Sequence, residues 1–330
     1  MFSAKDFKKA IFQINSQNFP DYALALFQYQ AENNPVYKSF LQYLNVQVSD
    51  IQEVTKIPFL PIEFFKTQQI ITGNVKIEKE FASSGTTGQI TSRHLVSDLR
   101  FYHQVATQIF KQFYGNLTDF HFLGLLPSYL ERQNSSLVDM VDYFIESSQS
   151  PHSGFYLHNL AELAQKLAFL QRDSSRKTVL FGVTFALLDL AEQFPMDLSN
   201  IIIMETGGMK GRRKEMTRSE LHQIFKSAFQ APQIHSEYGM TELLSQGYCL
   251  EDEVFSTPAW LKIILRDPND PFDLHPRRTG AINVIDLANV DSCAFIATQD
   301  LGEMLGANQF KVLGRVDNSD IRGCNLMVLV

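Results

Sequence analysis

Between residues 120 and 238 the chain repeats one rhythm, a short apolar run followed by a longer stretch with apolar residues at helical spacing. The runs at 120–127, 178–183 and 201–205 are too short for helices, and apolar on both faces they read as buried strands of a parallel sheet. The stretches at 97–113, 136–147, 159–172, 184–194 and 218–229 read as the helices that cover it. Ser97-Asp98 stands where the first of these helices needs a cap. From Trp260 the rhythm changes to the alternating segments 261–265, 280–286 and 310–314, as in a small antiparallel unit. Residues 1–56 form a helical lead-in, 57–259 the α/β body and 260–330 the small β unit. Pro58 and Pro61 favour extended chain over 57–66, and alternation over 75–81 predicts a strand.

Composition narrows the function classes. A formal net charge of −7, with no basic run longer than residues 210–214, argues against a nucleic-acid surface. The charged N-terminus is followed by no long apolar segment, so neither a signal peptide nor membrane insertion is expected. Three widely separated cysteines suit a reducing, cytoplasmic setting. Cys249, Cys293 and His235 lack the spacing of a zinc site, and no Gly-x-Ser-x-Gly elbow supports a hydrolase triad.

The predicted strand at 75–81 runs into Ser83-Ser84-Gly85-Thr86-Thr87-Gly88, a row of hydroxyls and flexible backbone suited to a polyphosphate. It lacks the Gly-Lys-Ser/Thr of the better-known phosphate loop. A Ser/Thr/Gly surface hairpin is the alternative. Two further stretches weigh against that alternative: Glu237-Tyr238-Gly239-Met240-Thr241-Glu242, and Gly314-Arg315-Val316-Asp317. In this order the three resemble the adenylate-forming enzymes, the superfamily of acyl-CoA synthetases, luciferases and peptide-synthetase adenylation domains. With residues 57–61 and 126–132, the narrower likeness is to the acyl-protein synthetase subunit of the bacterial luminescence fatty acid reductase, then to phenylacetate coenzyme A ligases. The resemblance runs from about residue 57 onward.

It implies an α/β fold, the N-terminal body of adenylate-forming enzymes, with mixed and parallel sheets covered by helices and a small C-terminal β subdomain. It also implies ATP-dependent activation of a carboxylic acid, fatty or aryl, as an acyl adenylate, with transfer to a thiol. By the same resemblance Ser83, Ser84, Gly85, Thr86, Thr87 and Gly88 hold the β- and γ-phosphates, and Thr241 meets the α-phosphate. Glu242 ligates Mg²⁺, Tyr238 and Gly239 with Gly207 and Gly208 form the adenine site of ATP or AMP, Asp300 accepts the ribose hydroxyls, and Arg315 contacts ribose and phosphate. A surface turn, a strand-to-helix turn or a charged β-turn would explain each stretch taken singly.

Three features depart from the pattern. No lysine closely follows Gly88, leaving Arg93 or His94 as substitutes, and the chain ends at Val330, soon after the hinge candidate Asp317. Longer relatives carry a lid domain there, with a lysine that assists adenylation. Cys324 lies in the tail and resembles the acylated cysteine of acyl-protein synthetases, although a free cysteine more often packs inertly. The acyl acceptor is thus Cys324, coenzyme A, or a partner such as an acyl carrier protein, a reductase or another acyl-accepting subunit. The competing readings are a lid-less nucleotide-binding or scaffold subunit and an ATP-independent acyltransferase. The 27 phenylalanines supply candidates for an apolar acyl tunnel near Phe122, Tyr129, Phe181 and Phe185.

Overall fold

A computed structural model describes residues 2–83, 90–127, 134–157, 159–207, 216–275 and 277–316. The lead-in is helical, with α1 (Ala4–Ala10), α2 (Phe19–Asn33) and α3 (Pro35–Tyr43). Its aromatics are core: Phe7, Phe19, Phe27 and Tyr37 are all buried. α2 is also anchored through Gln30, whose Nε2 donates to the carbonyls of Asn289, Val290 and Ser292 at 2.7, 3.1 and 3.2 Å. Its Oε1 accepts from the amide of Ala294 at 2.9 Å. The extended stretch after residue 57 contains β1 (Leu60–Pro61), which lies parallel to a later strand. A single helical turn, α4 (Phe64–Thr67), follows where extended chain was expected. Proline forbids helix upstream of itself rather than downstream, so Pro61 leaves that turn free to form.

The strand expected over 75–81 starts later, as β2 (Lys79–Ala82), and pairs antiparallel with β3 (Arg93–Val96). Ser83 extends this hairpin, donating its amide to the Ser92 carbonyl and accepting the Ser92 amide on its hydroxyl, both at 2.9 Å. α5 (Leu99–Phe113) is capped by Asp98, which accepts from the Phe101 amide, and it buries Tyr102, Val105, Ile109 and Phe110. The alternating half then follows: β4 (Phe120–Leu125), α6 (Ser136–Ser148), β5 (Gly154–Tyr156), α7 (Leu160–Leu170), β6 (Lys177–Val183), α8 (Thr184–Gln193), β7 (Ile201–Thr206), α9 (Arg218–Phe229) and β8 (His235–Tyr238), the spacing having predicted all but the short strands β5 and β8. Every residue of β4 is buried, as strands covered by helices on both faces require.

The remaining strands are β9 (Gly247–Cys249), β10 (Phe255–Ser256), β11 (Leu261–Arg266), β12 (Thr279–Asp286), β13 (Phe295–Gly306) and β14 (Gln309–Arg315). Among the described residues all strands but β2 and β3 join one sheet, in the order β11-β12-β13-β14-β10-β9-β8-β7-β6-β4-β5, with β1 beside β13. β4 to β8 pair parallel, and β8 to β14 pair antiparallel in the same sheet. The fold is of the α/β class, a mixed sheet covered by helices with antiparallel strands toward the C-terminus. The long β13 was not expected. Its first residues are buried and apolar, but Thr298-Gln299-Asp300 and an exposed end break any single periodicity. No helix among the described residues is long and apolar enough to cross a membrane.

Candidate functional site

The parallel strands β6, β7 and β8 end along one edge of the sheet, where open α/β folds bind ligands. β7 runs out through Thr206 into Gly207, whose φ of +77° admits a turn that a side chain would strain. β8 runs out into Gly239-Met240-Thr241-Glu242. A Cβ at Gly239 would lie 2.1 Å from the Glu237 Oε1, so a side chain there would push that carboxylate aside.

Three elements hold this exit turn. His94 of β3 donates from Nδ1 to the Thr241 carbonyl at 2.8 Å, and Asn289 donates from Nδ2 to the Glu242 carbonyl at 2.8 Å. The buried Asp286 carboxylate accepts the amides of Leu244 and Ser245, both at 2.9 Å, and the Ser245 hydroxyl at 2.7 Å. Burial pushes the His94 imidazole down to about 4, so it stays neutral near pH 7. It is therefore a backbone anchor and not the cation that the missing loop lysine called for. Arg93, next to it, is exposed and does not line the cavity described below.

The opposite wall is antiparallel. Asp300 of β13 faces Arg315 of β14 across the ladder, with Arg315 Nε 3.9 Å from Asp300 Oδ1. Tyr238 donates its hydroxyl to Asp300 Oδ2 at 2.9 Å, and its ring packs against Phe255 and Phe310. Asp300 thus already serves one donor, and a carboxylate has lone pairs for more. Arg266 stiffens the strand from behind, donating to the Thr298 carbonyl at 2.7 Å and to the Asn283 Oδ1 at 2.8 Å.

Between the two walls lies a single cavity whose lining includes Ser83, Gly207, Tyr238, Gly239, Thr241, Glu242, Asp300 and Arg315. Residues from three segments far apart in sequence are brought together there. Ser84, Gly85, Thr86, Thr87, Gly88, Gly208, Cys324, Asp317 and Tyr129 lie outside the described residues. Phe122, Phe181 and Phe185 are buried and do not line the cavity; Phe122 and Phe181 pack at a tilt against Phe144 in the core between sheet and helices. Its apolar wall includes Tyr102, Leu137 and Met140 instead.

Sequence reasoning also missed Arg218, Glu237 and Gln246 on the lining, which Glu205 at the end of β7 joins. Burial pushes the Glu237 carboxyl up to about 7, against the pull of a Thr206 hydroxyl donating at 2.8 Å, and the nearby Glu205 adds to the rise. Glu205 accepts from the Thr184 hydroxyl and, at 3.3 Å, from the Ser236 hydroxyl. Glu237 was within reach of the sequence, standing one residue before Tyr238; only the alternation of β8 shows which way it points.

No protein-family model and no curated protein matches the chain. Solved structures do. An open conformation of 2-hydroxyisobutyryl-CoA ligase in complex with 2-HIB-AMP and CoA superposes with a TM-score of 0.68 at 12% identity, over 93% of this chain and 72% of that one. The same ligase in its thioesterification state gives 0.66 at 14% identity, over 96% and 70%. ATP-bound MatB from Rhodopseudomonas palustris gives 0.55 at 16% identity, over 74% of this chain and 49% of that one, so the chain spans about half of MatB. At these identities the likeness is one of fold, and the fold is that of the acyl-CoA and adenylate-forming ligases.

Proposed function

We propose that the protein uses ATP to activate a carboxylic acid as its acyl adenylate and passes the acyl group to a thiol. The observation that carries this reading is the convergence of Ser83, Thr241 with Glu242, and Asp300 with Arg315 on one cavity. The fold supports it, because similar structures are described as bound to ATP or to an acyl-AMP with CoA.

In this reading an oxygen of the acid attacks the α-phosphorus and the bond to pyrophosphate breaks. The chain's task is to align the two and to offset the charge that develops. Asp300 accepts the ribose hydroxyls, Arg315 and the Thr241 hydroxyl meet the phosphate, and Tyr238, Gly239 and Gly207 with Gly208 bound the adenine. The loop from Ser83 through Gly88 holds the β- and γ-phosphates. Glu242 is a buried oxygen donor on the cavity wall and fits Mg²⁺, which takes one or two carboxylates plus phosphate oxygens and would neutralise the triphosphate.

Two thiols are poor acyl acceptors. Cys249 and Cys293 are buried, each sulfur contacts a backbone carbonyl, and burial pushes the thiols up to about 11 and about 12. The acceptor is therefore Cys324, coenzyme A, or a carrier protein, reductase or other acyl-accepting subunit met in the cytoplasm. The narrower likeness to acyl-protein synthetases favours Cys324. Phe122, Phe181 and Phe185 lie in the core, so among the described residues the apolar contacts open to the acid's hydrocarbon part are Tyr102, Leu137 and Met140.

The test is carboxylate-dependent exchange of labelled pyrophosphate into ATP over a panel of short, fatty and aryl acids. At least one acid should drive exchange, and Glu242→Ala should abolish it. Exchange with none of them would refute the reading.

A further inference from the structure

Strand β8 presents two opposite faces to the cavity, and they differ in chemistry. Side chains alternate along a strand, so Ser236 and Tyr238 share one face and Glu237 takes the other. The ladder extends this division. Ser236 pairs with Glu205 and Cys249, and Glu237 pairs with Tyr248, so Thr206, Glu237 and Tyr248 lie together. Gln246, two residues before Tyr248, joins them by the same alternation. A Cβ placed on Gly239 would be 2.1 Å from Glu237 Oε1 and 3.6 Å from Gln246 Cγ, which puts the two side chains beside each other.

The first face belongs to the nucleotide in the reading above. Tyr238 bonds Asp300, which stands across from Arg315. Arg218 is there too, with its guanidinium 4.9 Å from the ring centre of Phe255, against which Tyr238 packs. The second face is covered by α5, from which Phe110 and Phe113 pack on Tyr248. There the cavity is bounded by Tyr102, Leu137 and Met140, with Glu237 and Gln246 as its polar floor. Both arginines of the lining are accounted for on the first face.

That floor offers acceptors. One Glu237 oxygen takes the Thr206 hydroxyl, and the other lies against Gly239. Gln246 is only 4% exposed, its Nε2 donates to the Leu244 carbonyl at 3.1 Å, and its Oε1 has no hydrogen-bond partner among the described residues. The Leu244 carbonyl fixes which end of the amide is which, because a flipped amide would set two oxygens against each other.

We propose that the acid this site takes carries a hydrogen-bond donor, an amino or hydroxyl group, seated on Glu237 and Gln246 while its hydrocarbon part rests on Tyr102, Leu137 and Met140. A bare hydrocarbon acid would leave the Gln246 Oε1 dry and unpaired and bring Glu237 no donor beyond Thr206, which a polar site built for a donor penalises heavily. At pH 8, where Glu237 is ionised, a dicarboxylic acid would set a second anion against it.

This inference rests on the acyl-adenylate reading, and one experiment separates the two. Pyrophosphate exchange is measured with short aliphatic and benzoic acids, each as the unsubstituted parent, its hydroxy and amino derivatives, and the matching dicarboxylate. At least one amino or hydroxy acid should exceed its parent at least tenfold in kcat/KM. In Glu237→Leu, and independently in Gln246→Leu, that advantage should shrink to about twofold while the parent acid still exchanges. Parents or dicarboxylates equal to or better than the derivatives would overturn this inference and leave acyl-adenylate formation standing. Exchange with no acid at all would overturn both.

Discussion

The two halves of the sheet place their chemistry differently. In the parallel half β4 is buried throughout, and the polar groups of the cavity stand on the last residues of β7 and β8 and in the turn beyond: Glu205, Thr206, Glu237, and the stretch from Gly239 to Glu242. In the antiparallel half a working pair faces across the end of a ladder, Asp300 of β13 opposite Arg315, the last residue of β14. End-of-strand groups depend on whatever braces the turn. Groups paired across two strands are braced by the ladder between them. The exit turn of β8 belongs to the first kind but is clamped from the second half, by Asp286 and Asn289.

That clamp gives the largest expected effect. Asp286→Ala strips four donors of their acceptor, the amides of Leu244, Ser245 and Ala288 and the Ser245 hydroxyl. Chemical denaturation should show a loss of about 3 to 5 kcal/mol. A loss below about 1 kcal/mol would mean that the turn does not need the other half. Next, Asp300→Ala should lower kcat/KM for ATP by about a hundredfold, an order of magnitude set by removing a charged acceptor from a desolvated site. Gln30→Ala should follow with a loss of about 2 kcal/mol, since it unpairs the Val290 carbonyl and the Ala294 amide beside the clamp.

The smallest effect concerns pH. Glu237 is raised to about 7 from 4.5, so between these values the folded chain keeps a proton that the unfolded chain has lost. Its contribution to stability is fullest below pH 4.5 and declines as pH rises through 7. His94, lowered to about 4 from 6.5, acts the other way, adding stability as pH rises from 4 to 6.5. The difference between wild type and Glu237→Gln isolates the first slope. Melting temperatures should fall more in wild type than in the variant between pH 5 and 8, and equal falls would contradict the raised carboxyl.

How much of this was legible in the sequence follows the same division. β4, β6, β7 and α9 could be read directly, because continuous apolar runs and a capped amphipathic helix need no partner to be recognised. β13 could not, because its pattern changes from buried apolar residues to the polar stretch around Asp300 within one strand. In the site, Thr241, Glu242, Asp300 and Arg315 stood out by their order along the chain. The roles of His94, Asp286, Glu237 and Gln246 could not be read there, since they come from strand register and from turns packed across the sheet. The phenylalanines proposed for a tunnel show the converse error: Phe122 and Phe181 are simply what a sheet covered by helices requires inside.

The central claim is that residues from both halves bind one adenine nucleotide in one cavity, and titration calorimetry with AMP tests it most directly. The account predicts one site per chain, with affinity falling at least tenfold in Asp300→Ala and, separately, in Thr241→Val. Binding that neither substitution weakens, or that only one of them does, would show that the two walls do not share a ligand.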